Sequence, residues 1–300
     1  MARRDCGTER MKDARPPSGR RGSIISAGSE IVGPATAASA GLLLGGPAGA
    51  VAGAAAVFPT TTAFRSLLGE LARRTLGQRE EMRAGAVLLA AQAEIQTQLE
   101  TGRPLRGDGF SGSHNDRLDA AEIAEAAVLA AQRDPQQAKA PLLGKLLGRL
   151  QFEPRVDAAY AHQLIKETES LTYRQLCCLA LFNLNVRDGY QLPDHEVLSG
   201  VTDPLDPRIG LLQEIVDLHR RTMLQQRATD HPGTDIILNV STLTPARQEL
   251  TGIGGWLSNL MDLSATIPAK QLQALADTLR ALTPETTRVD ASRWSGGAEL

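Results

Sequence analysis

Three hundred residues allow one large domain or two modest ones, and 42% hydrophobic residues are enough to fill a sizeable core. Aromatics are only 3% and Ala and Leu dominate, a composition that favours helices over sheets. A formal net charge of −2 excludes a global basic field for nucleic acid, and Cys6, Cys177 and Cys178 exclude a disulfide framework.

Residues 1–30 are polar without an apolar period. Arg3, Arg4, Arg10, Lys12, Arg15, Arg20 and Arg21 outnumber Asp5, Glu9 and Asp13, which predicts a disordered basic tail. No secretory signal fits, because the apolar stretch that follows starts too late and runs too long. Beside a membrane segment such a tail stays on the cytoplasmic side and touches anionic lipid.

Ile31 to Phe64 holds no charged residue over 34 positions and is built mainly of Ala and Gly. Gly41, Gly45, Gly49 and Gly53 recur every four residues. On a helix that spacing lines up one side-chain-free face, the groove used in small-xxx-small packing. The stretch exceeds the roughly 20 residues a span needs. Its strongly apolar residues, Leu42, Leu43 and Leu44 among them, supply only about −2 to −5 kcal/mol for insertion, and Pro47 interrupts a helix midway. Insertion by one chain is therefore marginal, and it becomes plausible if several chains pack through the glycine face. A Gly/Ala linker or a docked soluble helix is the competing reading.

From Phe64 the pattern turns helical. Phe64, Leu67, Leu68, Leu71 and Leu76 share one face, and Gly77 is a stop. The spacing predicts a longer helix from Arg79 to Glu100, ended by Gly102 and Pro104. The Gly-rich connection 103–118 contains Arg106-Gly107-Asp108, a triplet common by chance and no sign of an adhesion ligand. Helices follow from Asp119 to Gln132, from about Pro141 to Leu150 and from Asp157 to Glu169. Thr172 then N-caps another that carries Leu176, Leu179 and Leu181 inward. Residues 65–185 thus read as a bundle of about six helices.

These residues carry a likeness. Glu81 to Leu88, Arg106 to Phe110, Pro141 to Leu147 and Leu171 to Leu176 resemble a pattern found in uncharacterised bacterial helical proteins, over roughly 65–280. The matched segments are packing and turn motifs, so the resemblance implies an all-helical fold and no catalytic residue. In composition and order, a Gly/Ala-rich start before a helical body is similar to abortive-infection proteins of the alpha class, which implies a defence effector.

Residues 186–207, rich in Asp, Pro and Gly, read as a connection to a mainly helical C-terminal module, 186–285. Ile209 to Leu224 is a predicted helix, and Asp235 to Ser241 is the clearest strand candidate. Thr244-Pro245 is expected to start a helix running to about Asp262, and Ile267-Pro268 a final one. Residues 286–300 are expected to be a disordered tail. The order helix, helix, strand, helix suggests a winged-helix-like part, an analogy of fold only. Its second helix has Arg220 and Arg221 at its end, but Asp206, Glu214 and Asp217 nearly cancel the charge, which disfavours a DNA reader.

No motif for chemistry emerges. The glycine stretch lacks the Lys-Ser/Thr ending of a phosphate loop, and Gly252, Gly254 and Gly255 make no dinucleotide fingerprint. His114, His162, His195, His219 and His231 are scattered, so no metal or cofactor is expected. Asp194-His195-Glu196 reads as solvated surface, and Cys177 and Cys178 sit in an apolar helix that disfavours thiolates. The expectation is a non-enzymatic, all-α, cytoplasmic and membrane-associated protein, a homo-oligomerising defence effector acting through Gly41, Gly45, Gly49 and Gly53. The alternative is a soluble interaction or regulatory module with a winged-helix-like C-terminal part, its nucleic-acid version using Arg220 and Arg221.

Overall fold

The computed structural model describes residues 76–108, 110, 113–114, 117–197, 205–227 and 242–282, with Ile24, Ala27, Ile31, Leu67, Glu70, Arg73 and Arg74. Apart from Ile31, the stretch 31–64 with its four spaced glycines lies outside them, as does the strand candidate 235–241.

The described residues are mostly helical. Helix α1, Gln78–Glu100, begins where the Glu80 carboxylate accepts from the Gly77 N–H at 2.9 Å, and Glu80 and Glu81 favour the positive end of the helix dipole. It ends at Gly102, whose φ of 79° only glycine adopts freely. Two-residue strands β1, Ser113–His114, and β2, Arg117–Leu118, pair antiparallel and lead into α2, Asp119–Arg133. Helix α3, Lys139–Leu150, holds Pro141 in its first turn, where no backbone hydrogen bond is lost. Helix α4, Ala158–Ser170, is capped by Asp157, which accepts from the Tyr160 N–H at 2.7 Å. Helix α5, Tyr173–Asp188, starts with a reciprocal cap: the Thr172 hydroxyl accepts from the Gln175 N–H and the Gln175 amide accepts from the Thr172 N–H. The helices from Arg79, Asp119, Asp157 and Thr172 are therefore seen close to their expected limits.

The second half departs further from expectation. Helix α6, Arg208–Arg220, stops four residues short of Leu224. Thr222 turns the chain with a φ of 56°, and Leu224–Gln226 becomes β3. The helix expected from Thr244 to Asp262 is three elements: a 3-10 turn at Pro245–Arg247, strand β4 at Gln248–Leu250, and helix α7 at Gly252–Leu260. Strand β4 pairs antiparallel with β3, Leu224 opposite Leu250 and Gln226 opposite Gln248. Gly252, with a φ of 40°, makes the corner between strand and helix. Two short helices close the described chain, α8 at Leu263–Thr266 and α9 at Ala269–Arg280.

One hydrophobic core holds these elements. Helix α1 is its axis, buried all round from Ala84 to Gln92. Helices α2 and α3 pack along α1, while α8 and α9 pack on α5. Glycines four apart bring α3 against α1. A Cβ on Gly144 would lie 2.5 Å from the Val87 carbonyl oxygen, and one on Gly148 would lie 2.8 Å from that of Ala91.

Candidate interaction site

The polar residues worth attention gather where α4 ends, α5 begins and α6 passes. Lys139 is the largest fully buried side chain, 1% exposed, although it stands at the start of α3. Its ammonium pairs with buried Asp134 and donates to the carbonyls of Glu169 at 3.1 Å and Leu171 at 2.6 Å. A cation at the C-terminal end of α4 meets the negative end of that helix dipole. Asp134 spends its other oxygen on the Gln136 N–H at 2.8 Å. Gln136 in turn accepts from the Tyr173 N–H at the first turn of α5. Lys139 thus ties three helix ends together with all three of its donors used. The cleft beside it, about 280 Å³, is lined by Arg133, Gln136, Lys139, Glu169 and Thr172 among others. Two of these lining residues, exposed Arg133 and half-buried Glu169, form an ion pair at 2.9 Å.

Next to the cleft a second network fixes α6. Glu214 accepts from Arg174 at 2.6 Å, and Asp217 accepts from Gln175 at 2.9 Å. Arg221 donates to Asp217, Glu167 and the Ser170 hydroxyl, at 2.9, 3.4 and 2.7 Å. The expected basic pair at the end of α6 is split by this arrangement: Arg220 is exposed, while Arg221 is committed to α4 and α6. A phosphate at Arg221 would have to displace three partners.

A third network joins the two halves of the chain. Glu94, 5% exposed, accepts from Arg149 at 2.6 Å and from Gln98 at 2.7 Å. Arg149 also pairs with Asp262 at 2.9 Å and donates to the Asn259 carbonyl at 2.6 Å, capping the end of α7.

The thiols of Cys177 and Cys178 are held back from reaction. Burial pushes Cys177 up to about 11 and Cys178 higher still, so neither is a thiolate at neutral pH. Burial likewise pushes Tyr173 up to about 12. His219 is pulled below its ordinary value by burial, and its Nε2 meets the Gln248 amide oxygen. That amide donates to Gln226 at 2.7 Å and to the Thr244 carbonyl at 2.8 Å, so α6 is joined to both strands. The Arg106-Gly107-Asp108 triplet is internal architecture. The Arg106 side chain is 3% exposed, forks onto Asp108, stacks over Phe110 at 3.9 Å and donates to the Val156 carbonyl at 2.8 Å.

Sequence reasoning passed over Lys139, Asp134 and the pair Gly144 and Gly148. The signals were present: a lysine at the head of a leucine-faced helix, and two glycines at a helical repeat within it. Among the described residues no three His, Cys, Asp or Glu side chains are grouped to hold a metal ion, and no helix is long and apolar enough to cross a membrane. The chain matches no protein-family model, no curated protein and no solved structure.

Proposed function

We propose that this chain is a non-enzymatic helical protein that associates at membranes and with copies of itself through residues 31–64, the helical body carrying that stretch. One comparison within the chain carries the reading. In the body, glycines four apart at Gly144 and Gly148 let α3 lie directly against the α1 backbone. The same device is repeated at Gly41, Gly45, Gly49 and Gly53 within an uncharged stretch. Two such faces from two chains meet without side chains to hold them apart. The basic residues before the stretch add attraction to an anionic surface. The test is fractionation and sedimentation of the full chain beside Gly45→Leu, Gly49→Leu and a 65–300 truncation. The intact chain is expected to assemble and to partition with membranes, and all three variants to lose both properties. Equal behaviour of all four refutes the reading.

A second reading has an observation of its own. The order α5, α6, β3, β4, α7, with β3 and β4 antiparallel, supports a winged-helix-like interaction module by analogy of fold. Because Arg221 is spent internally, a protein is a better partner for it than DNA. A salt-dependent DNA shift lost on changing Arg220 and Arg221 to Ala would reverse that preference.

A further inference from the structure

Two aromatic rings meet where α4 and α7 touch. Tyr160 and Trp256 stand edge to face, their ring centres 6.3 Å apart and their planes at 85°. Both are partly buried, and both pack against the core. The guanidinium of Arg155 lies 5.0 Å from the centre of the Trp256 ring. Partly buried Ile253 extends the apolar part of the patch one turn back along α7. A Cβ on Gly255, beside Trp256, would meet nothing within 4 Å, so the space there is open.

The polar atoms of this patch are unspent donors. Among the described residues nothing bonds to the Tyr160 hydroxyl or the Trp256 indole N–H, yet neither is sealed from solvent. Tyr173 differs, because its hydroxyl donates to Gln271 at 2.9 Å. Arg155 donates from Nε and Nη2 to Glu153, at 2.7 and 2.9 Å, which leaves Nη1 over. Glu153 is turned inward: its side chain is 8% exposed and that of Arg155 is 70% exposed. The pair therefore shows its cation to the outside. Rings with an apolar body and a wet polar tip, beside an outward cation, suit the boundary between lipid headgroups and acyl chains. A free phosphate would satisfy the donors and leave the rings unused.

We propose that Arg155, Tyr160 and Trp256 form a second membrane contact, which sets the helical body against the phosphates of an anionic lipid surface. The proposal rests on the reading of 31–64 as the segment that associates at membranes. Three side chains are too few to hold a chain that lacks that segment. Once the segment has bound, the patch acts within one molecule and adds affinity without a second encounter.

The test uses the full-length chain carrying Trp294→Phe, which leaves Trp256 as the one tryptophan. The probes are vesicles of phosphatidylcholine with and without phosphatidylserine, and binding is read by co-sedimentation. Anionic vesicles are expected to shift the Trp256 emission to the blue and to shield it from iodide. Arg155→Gln is expected to weaken binding to them about fivefold at low salt, and far less at high salt. Tyr160→Phe keeps the ring and removes one donor, and is expected to weaken binding roughly twofold with an unchanged melting temperature. If the emission stays put and both variants bind like the parent, while Gly45→Leu still loses binding, the patch is refuted and the reading of 31–64 survives. If inorganic phosphate without vesicles reproduces the emission change, the ligand is free phosphate and the lipid contact is refuted. If the variants lose self-assembly and keep vesicle binding, a second copy occupies the patch and the proposal fails. If the parent binds no vesicles, the reading of 31–64 fails and the proposal fails with it.

Discussion

At the scale of single residues, buried polar groups decide more than surface charges. Lys139 and Asp134 are both buried and hold one another along with three backbone groups. Removing the cation alone leaves a carboxylate in the core. Lys139→Met is expected to cost about 3–5 kcal/mol of stability, and Lys139→Met with Asp134→Asn distinctly less, measured by denaturant unfolding. His219 supplies a pH dependence whose sign follows from its burial. Its folded value lies below its unfolded one, so the unfolded chain takes up the proton first on acidification. Stability from this group is complete above the unfolded value, about 6.5, and is lost as pH falls from there towards the folded value. His219→Gln should flatten the slope of melting temperature against pH in that window. An unchanged slope would mean that another group titrates there.

At the scale of elements, caps and glycines set the helix ends and the spacing between helices. Thr172→Ala removes one half of the reciprocal cap of α5 and is expected to cost about 1 kcal/mol. In α3, replacing Gly144 by Ala should help the isolated helix by up to ~1 kcal/mol. In the fold its methyl would press on the Val87 carbonyl and the Ala90 methyl, both within 2.6 Å. Backbone cannot yield as a side-chain tip can, so overpacking wins and Gly144→Ala is expected to destabilise by about 1–3 kcal/mol. A stabilised variant would show that α1 and α3 part easily. A Cβ on Gly254 would press harder still on the Met223 carbonyl oxygen, and its absence lets α7 lie directly against the chain that leads into β3.

At the scale of the whole molecule, one core runs from Ile24 to Leu282. Helix α5 is buried from Leu176 to Phe182, and α8 and α9 pack against it. Asn183 of α5 donates to Ser264 of α8 at 3.1 Å, and Tyr173 to Gln271 of α9 at 2.9 Å. A chain ended at residue 185 would strip this cover from α5. It is expected to lose its sharp thermal transition in far-ultraviolet circular dichroism and to aggregate. A monomeric, cooperatively melting fragment would show that the first half folds alone.

The helical character, the starts of most helices and the inward leucines were legible in the sequence because each is a local property. Asp157 and Thr172 announce a cap with their own side chains, and Ile123, Ala127 and Val128 announce a buried face by their spacing. The close contact of Gly144 and Gly148 with α1 was half legible, since the repeat is visible but its partner is not. Strands β3 and β4 escaped because Leu224 to Gln226 and Gln248 to Leu250 carry no alternating pattern. Each is a strand only because the other lies beside it. The pairing of Lys139 with Asp134, the internal use of Arg221 and the meeting of Tyr160 with Trp256 were decided by tertiary structure alone. Charge, burial and hydrogen bonding there depend on groups far apart in the chain, which local periodicity does not encode.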